Sequence, residues 1–239
     1  VFLGFNNEDP LLKRKIVRQA ILSCIDHSRL VQYILRGNSI IAEEPLPPVF
    51  SNPIKQSQQE YNLEYARELM KNAGLSGGLT LRFYDIERFR SRNTIIEAIR
   101  NDLQKIKIQI VIKTFDTYEQ LNQACRSDSA QLFLNSWQAD VLGDPENFLY
   151  SLFYSTSDYN FFHYNNQRVD SWLDTARIEP DWEKRQLLYQ KIVGQILEDV
   201  PAVFLYHVIP VYAYNQRKIK SLSVSPYGII NYHRVVLYE

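Results

Sequence analysis

Along the chain the apolar residues switch between a period of two and a period near 3.6, and each switch marks an element. Val1-Phe2-Leu3-Gly4-Phe5 reads as a buried strand, and Ile16, Ala20, Ile21, Cys24 and Ile25 then recur at helical spacing. Asp26 is placed to cap a second helix carrying Leu30, Val31, Ile34 and Leu35, which Gly37 ends in the left-handed conformation. Four prolines (Pro45, Pro47, Pro48 and Pro53) exclude regular structure over residues 43–58 and predict a long surface loop. Asn62 caps the next helix, with Ala66, Leu69, Met70 and Ala73 as its apolar face and Gly74 as its end. Gly77-Gly78 turns the chain into a strand in which Leu79, Leu81 and Phe83 alternate.

A helix follows over 91–105 (Ile95, Ile96, Ile99, Leu103), then a strand with Ile108, Ile110 and Ile112 on one face. Thr117 and Gln120 have the spacing of a capping box ahead of a helix through Leu121, Ala124 and Cys125. Leu132-Phe133-Leu134, apolar without alternation, suits a central strand buried on both faces. Beyond Trp137 a loop-rich stretch runs to Asn166, and Asp144 to Phe148 reads as a turn entering a helix. Two helices come next, one through Val169, Trp172, Leu173 and Ala176, the other from Asp181 to Glu198 with Pro201 beyond it. The tail predicts strands over Val203–Val208, Val211–Tyr214 and Val235–Tyr238. Strands interleaved with helices predict an α/β fold, a mixed sheet flanked by helices.

Composition changes this picture little. At 239 residues the chain is long enough for one large or two small domains, and its 27 basic and 27 acidic residues cancel. That balance gives no electrostatic footprint for nucleic acid or an anionic membrane. An excess of tyrosine, 16 residues, suits a core that borders a polar cleft. Cys24 and Cys125 do not make a disulfide scaffold, and whether they are free or bridged is open from sequence. No apolar run reaches the 18 residues of a membrane span. A chain opening with Val1 inside a strand reads as a fragment or a processed product.

Candidate chemistry is sparse. The four histidines (His27, His163, His207, His233) lack metal-ligand spacing, and the chain has no Cys-x-x-Cys, no phosphate-cradling glycine loop and no Gly-x-Ser-x-Gly turn. No motif makes a specific case for catalysis, so no catalytic residue, metal or cofactor is assigned. One stretch does suggest a site. Trp137-Gln138-Ala139-Asp140 follows directly on the apolar strand, which puts an aromatic face and a carboxylate at a strand's C-terminal end, where open α/β sheets bind ligands.

Several segments resemble the bacterial solute-binding proteins of ABC importers, the oligopeptide, dipeptide and nickel type. They are Phe5-Asn6, Val17-Arg18-Gln19-Ala20-Ile21 with Ile25-Asp26-His27, Gly37 with Pro45-Leu46-Pro47-Pro48, the helix Tyr61 to Gly74, Trp137 to Asp140, and Asp144 to Leu149. They occur in the family's order over nearly the whole chain. The resemblance implies the second lobe of a type II periplasmic-binding-protein-like fold. Residues 1–207 would form that lobe, with hinge strands near Val1–Phe5 and Ala202–His207, and residues 208–239 would return toward a largely absent first lobe. It further implies capture of a peptide or similar solute between two lobes, delivery to ABC permease subunits, and a periplasmic or membrane-anchored extracellular location. In its terms Asp140 pairs with a peptide's α-ammonium, Trp137 forms an aromatic wall and Tyr206 offers a hydroxyl. A nickel or haem-type cargo fits the same resemblance. The isolated lobe is expected to bind weakly and to self-associate through its exposed cleft face. The alternative is the solute-sensing domain of a cytoplasmic transcription regulator with the same fold.

Overall fold

The computed structural model describes residues 1–50, 60–87, 90–127, 130–138, 143–225 and 228–238. Its centre is a sheet of strand order β4-β3-β5-β1-β6: β1 (Phe2–Phe5), β3 (Leu79–Ile86), β4 (Ile108–Phe115), β5 (Leu132–Asn135) and β6 (Ala202–Phe204). β3 runs parallel to β4 and β5, whereas β1 is antiparallel to both β5 and β6, so the sheet is mixed as expected. Leu132-Phe133-Leu134 lies in the middle strand and is wholly buried, as its unbroken apolar run required.

Alternation along the strands divides two cores. Leu3 and Phe5, Leu81 and Phe83, Leu132 and Leu134, and Val203 face one side, where α1 (Lys15–Cys24), α3 (Leu63–Asn72) and α4 (Arg90–Gln104) cover them. Phe2, Tyr84, Ile86, Phe133, Ala202 and Phe204 face the other side, against α5 (Tyr118–Arg126), α6 (Glu146–Phe153), α7 (Gln167–Ile178) and α8 (Trp182–Asp199). Cys24 lies in the first core and Cys125 in the second; both are buried free thiols, and burial pushes the pKa of each up.

The caps form where the sequence placed them. Asn62 accepts from the Tyr65 amide at 2.9 Å, Thr117 from that of Gln120 at 3.2 Å, and Asp181 from those of Glu183 and Lys184. Asp26 caps α2 (His27–Arg29), but this helix continues as a π-helical stretch over Leu30–Ile34 before Gly37 turns the chain at φ +71°. Residues 43–50 of the proline loop carry no helix or strand, and its remainder, 51–58, lies outside the described residues.

The tail departs from expectation. The predicted strand over Val203–Val208 is two: β6 stays in the central sheet, while β7 (Tyr206–Val208) pairs with β2 (Ser39–Ile41). Val211–Tyr214, predicted as a strand, pairs with nothing in a ladder, while Ile219–Ser221, which was not predicted, forms β8 against β9 (Val236–Leu237). Alternation marks a segment that is able to pair; only a neighbouring edge decides whether it does.

β1 also contains a tight approach. A Cβ on Gly4 would clash with the outer edge of the Phe133 ring, which is itself fully buried. Gly4→Ala is expected to cost about 1–3 kcal/mol by overpacking. Thermal unfolding of the single variant and of Gly4→Ala with Phe133→Leu checks this, because the smaller partner should restore part of the loss.

Candidate functional site

Where β5 ends, the backbone leaves the sheet through Ser136, Trp137 and Gln138 and meets the start of β1 and the end of β6. The register Phe2↔Asn135 and Phe2↔Phe204 brings these three strand ends together. A cavity of about 390 Å³ opens there. Phe2, Phe204, Phe148 and Leu152 line it from the sheet and α6, Pro45 and Pro47 from the proline loop, and Trp137 from the strand end. Its position outside the carboxyl end of the central strand is the one α/β topology favours for a ligand.

Trp137 is held, not merely present. Its indole Nε1–H donates to Asn147 Oδ1 at 3.1 Å, and its ring meets Tyr159 edge-on at 5.0 Å between centroids. The other end of the loop is fastened just as firmly. Asp144 accepts from Tyr189 Oη at 2.8 Å and from the Glu146 amide at 2.9 Å, and pairs with Arg185 at 2.9 Å. Burial first, then the Asp144 bond, pushes the Tyr189 phenol up and keeps it a donor. Asp144 is thus committed to seating α6 on α8. Asp140 lies outside the described residues.

Tyr206 is not where the sequence suggested. It is buried in the first core, away from the cavity, and His207 lines the cavity in its place. The reason is local. Unbroken alternation from Phe204 would turn Tyr206 toward the cavity, but the amides of Leu205 and Tyr206 both donate to Val1 O, at 2.9 and 3.4 Å. Two residues spent on one acceptor reset the alternation as the chain passes from β6 to β7. His207 is half-buried, and burial, its largest influence, pushes the imidazole down to about 4, so it is uncharged at neutral pH. Nothing in the sequence singled out His207. The proline loop had been recognised as a surface loop but not as a cavity wall.

Among the described residues no group of three or more His, Cys, Asp or Glu could hold a metal ion, and no helix is long and apolar enough to cross a membrane.

Comparison with known proteins gives a consistent result. The family profile described as "Bacterial extracellular solute-binding proteins, family 5 Middle" matches residues 1–160. The di/tripeptide-binding protein 1 of Pseudomonas aeruginosa is 26% identical over 243 residues, covering 98% of this chain and 44% of that protein. The DppA periplasmic binding protein of Helicobacter pylori, solved with the peptide STSA, superposes with a TM-score of 0.79 at 25% identity, over 87% of this chain and 41% of that one. HbpA2 of Haemophilus parasuis, at 24% identity, shares the fold with a TM-score of 0.86 over 100% of this chain and 48% of its own. The chain spans less than half the length of each.

Proposed function

Because this chain belongs to the bacterial extracellular solute-binding proteins of family 5, we propose that it is the second lobe of a two-lobed carrier that captures a peptide or similar small solute for an ABC importer. Residues 1–207 form the lobe, with β1 and the run from β6 to His207 as hinge strands. Residues 208–239 return to the other lobe, which accounts for large apolar side chains there that stand in solvent, such as Val211 at 80% and Tyr232 at 78% exposure. Alone, the lobe is expected to self-associate through its exposed cleft face, and light scattering over a concentration series measures it; a monomer at every concentration argues against this expectation.

The observation that carries the proposal is the cavity at the carboxyl end of β5 with Trp137 fixed in its wall. An aromatic, proline-rich surface open on one side suits a guest that a second body then covers, and hinge closure over it presents a closed form to permease subunits. The work is done outside the cytoplasmic membrane. Binding and release need no catalytic group, in keeping with the lack of a catalytic motif in the sequence. The relatives named above are binding proteins, and nothing among them favours the transcription-regulator alternative.

Asp140, two residues beyond Gln138 of the cavity wall, is assigned the α-ammonium of the guest. A charge-assisted hydrogen bond of this kind is worth about 1.5–3 kcal/mol. In the full-length protein Asp140→Asn is therefore expected to weaken binding of small peptides by roughly 10- to 150-fold, read by calorimetry. Equal affinities for the two proteins would remove Asp140 from the site, and failure of the wild type to bind any peptide would remove the peptide.

A further inference from the structure

A cavity wall is only as fixed as the elements behind it, and Trp137 depends on them most. β5 ends at Asn135, so the indole stands on backbone beyond the strand, between the exposed residues Ser136 and Gln138. Its orientation is therefore set by side chains. The indole has one donor and no acceptor, and that donor goes to Asn147 Oδ1 at 3.1 Å. Tyr159, itself about half exposed to solvent, braces only the ring's edge. Asn147 does not line the cavity; it lies in the first turn of α6, beside Phe148. Phe148 and Leu152, one turn apart on that helix, both line it. Asp144 anchors the start of α6 to α8 through Tyr189 and Arg185, and Phe50 of the proline loop meets Phe148 edge-on at 6.0 Å. One short helix thus supplies two wall side chains and fixes the angle of a third.

We propose that Asn147 is a positioning residue of this cavity: by accepting the indole N–H it presets the Trp137 ring as a wall for an aromatic side chain of the guest. The inference rests on the solute-binding reading above and deepens it, naming the residue that prepares the wall and the class of side chain it serves. Three features support it. The bond ties the loose end of a strand to a helix that is itself anchored, so its loss frees the indole to turn about its side-chain torsions. A guest would then bind only the fraction of molecules whose ring stands correctly, and its apparent affinity falls by that fraction. The surroundings name the side chain. Phe2, Phe148, Phe204, Pro45 and Pro47 share the wall with Trp137, and an aromatic ring gains from edge and offset contacts with such neighbours beyond the area it buries.

The test is a double-mutant cycle in the full-length protein, titrated by calorimetry with Phe-Ala-Ala, Ala-Phe-Ala, Ala-Ala-Phe and Ala-Ala-Ala. For the phenylalanine tripeptide that wild type binds most tightly, Asn147→Leu is expected to weaken binding roughly 3- to 10-fold, the scale of one net hydrogen bond. With Trp137→Phe already in place, which removes the N–H, the same substitution should change affinity by less than about 2-fold. Asn147→Asp keeps an acceptor at the same reach and should lose less than about 3-fold. With isotopically labelled tryptophan, the Trp137 indole N–H resonance is recognised by its absence from Trp137→Phe. It should exchange faster with solvent in Asn147→Leu but not in Asn147→Asp, a change that a merely structural role would not produce. Melting curves establish that each variant is folded, and Asn147→Ala takes the place of Asn147→Leu in the cycle if the latter is not. Unchanged affinity in Asn147→Leu, or an equal loss with and without Trp137, overturns the positioning role while the solute-binding reading stands. Equal binding of all four tripeptides by wild type overturns the aromatic class. If wild type binds none of them, the peptide reading fails, and the inference with it.

Discussion

Replacing Arg18 by Met is expected to lower the stability of this fold by about 3–5 kcal/mol, because it leaves buried polar groups without their partner. The Arg18 guanidinium is buried in a structural position. Nε donates to Val200 O at 2.8 Å, one terminal nitrogen to Leu12 O at 2.6 Å and the other to Asp199 O at 2.6 Å. Burial pushes its pKa down to about 10 and the nearby Asp199 carboxylate pulls the other way, so it remains a cation at neutral pH. Its partners are the end of α8 and Val200, a β-branched residue held at φ +53° immediately before Pro201 and β6. That conformation is unfavourable for valine, so the bond to Val200 O helps to retain the turn that launches β6. Arg18→Lys should recover little, since one ammonium cannot reproduce a planar fork spread over three carbonyls. Urea unfolding checks this: a drop in midpoint at unchanged slope is expected for both variants, and a loss under about 1 kcal/mol for Arg18→Met would show the network to be dispensable.

Truncating Phe162 to Ala should cost a similar amount, about 3–5 kcal/mol, through a different mechanism. Phe162 is fully buried and touches three other rings: it stacks on Phe153 with centroids 5.3 Å apart and lies 5.1 Å from Phe2 and 5.7 Å from Phe133. Phe2 is also part of the cavity wall, so the ring cluster is the support beneath the candidate site. Removing its middle member opens a hole that fixed neighbours fill only in part. Phe162→Leu, which keeps most of the volume, should lose less than half as much. The measurement is again the unfolding midpoint, together with near-ultraviolet circular dichroism as a report on aromatic packing. Equal losses for Ala and Leu would argue that the aromatic contacts themselves, and not the volume, hold the cluster.

Both variants lie in stretches the sequence handled differently. Arg18 falls in a segment whose family likeness and helical period were plain, yet its long reach to α8 is a contact across 182 positions and leaves no trace in local pattern. Phe162 lies in the stretch after Trp137 that showed no periodicity, since loop residues enter a core without repeating at any fixed interval. The candidate site shows the same division. Trp137 was legible because it stands at the end of an unmistakable central strand. The two residues shared by one acceptor at Val1 turned Tyr206 inward and His207 outward, and no count along β7 could have revealed that.

What the sequence determined by itself was the set of elements and their class. Spacing of apolar residues fixes which face of a strand or helix is sticky, and caps such as Asn62, Thr117 and Asp181 act within a few residues of their own position. Strand order, the antiparallel setting of β1, the split of the tail between two sheets and the identity of the cavity wall were decided only by the tertiary structure. Those depend on which distant edges meet, and the free energy that selects one meeting over another comes from burial and hydrogen bonds between residues far apart in the chain.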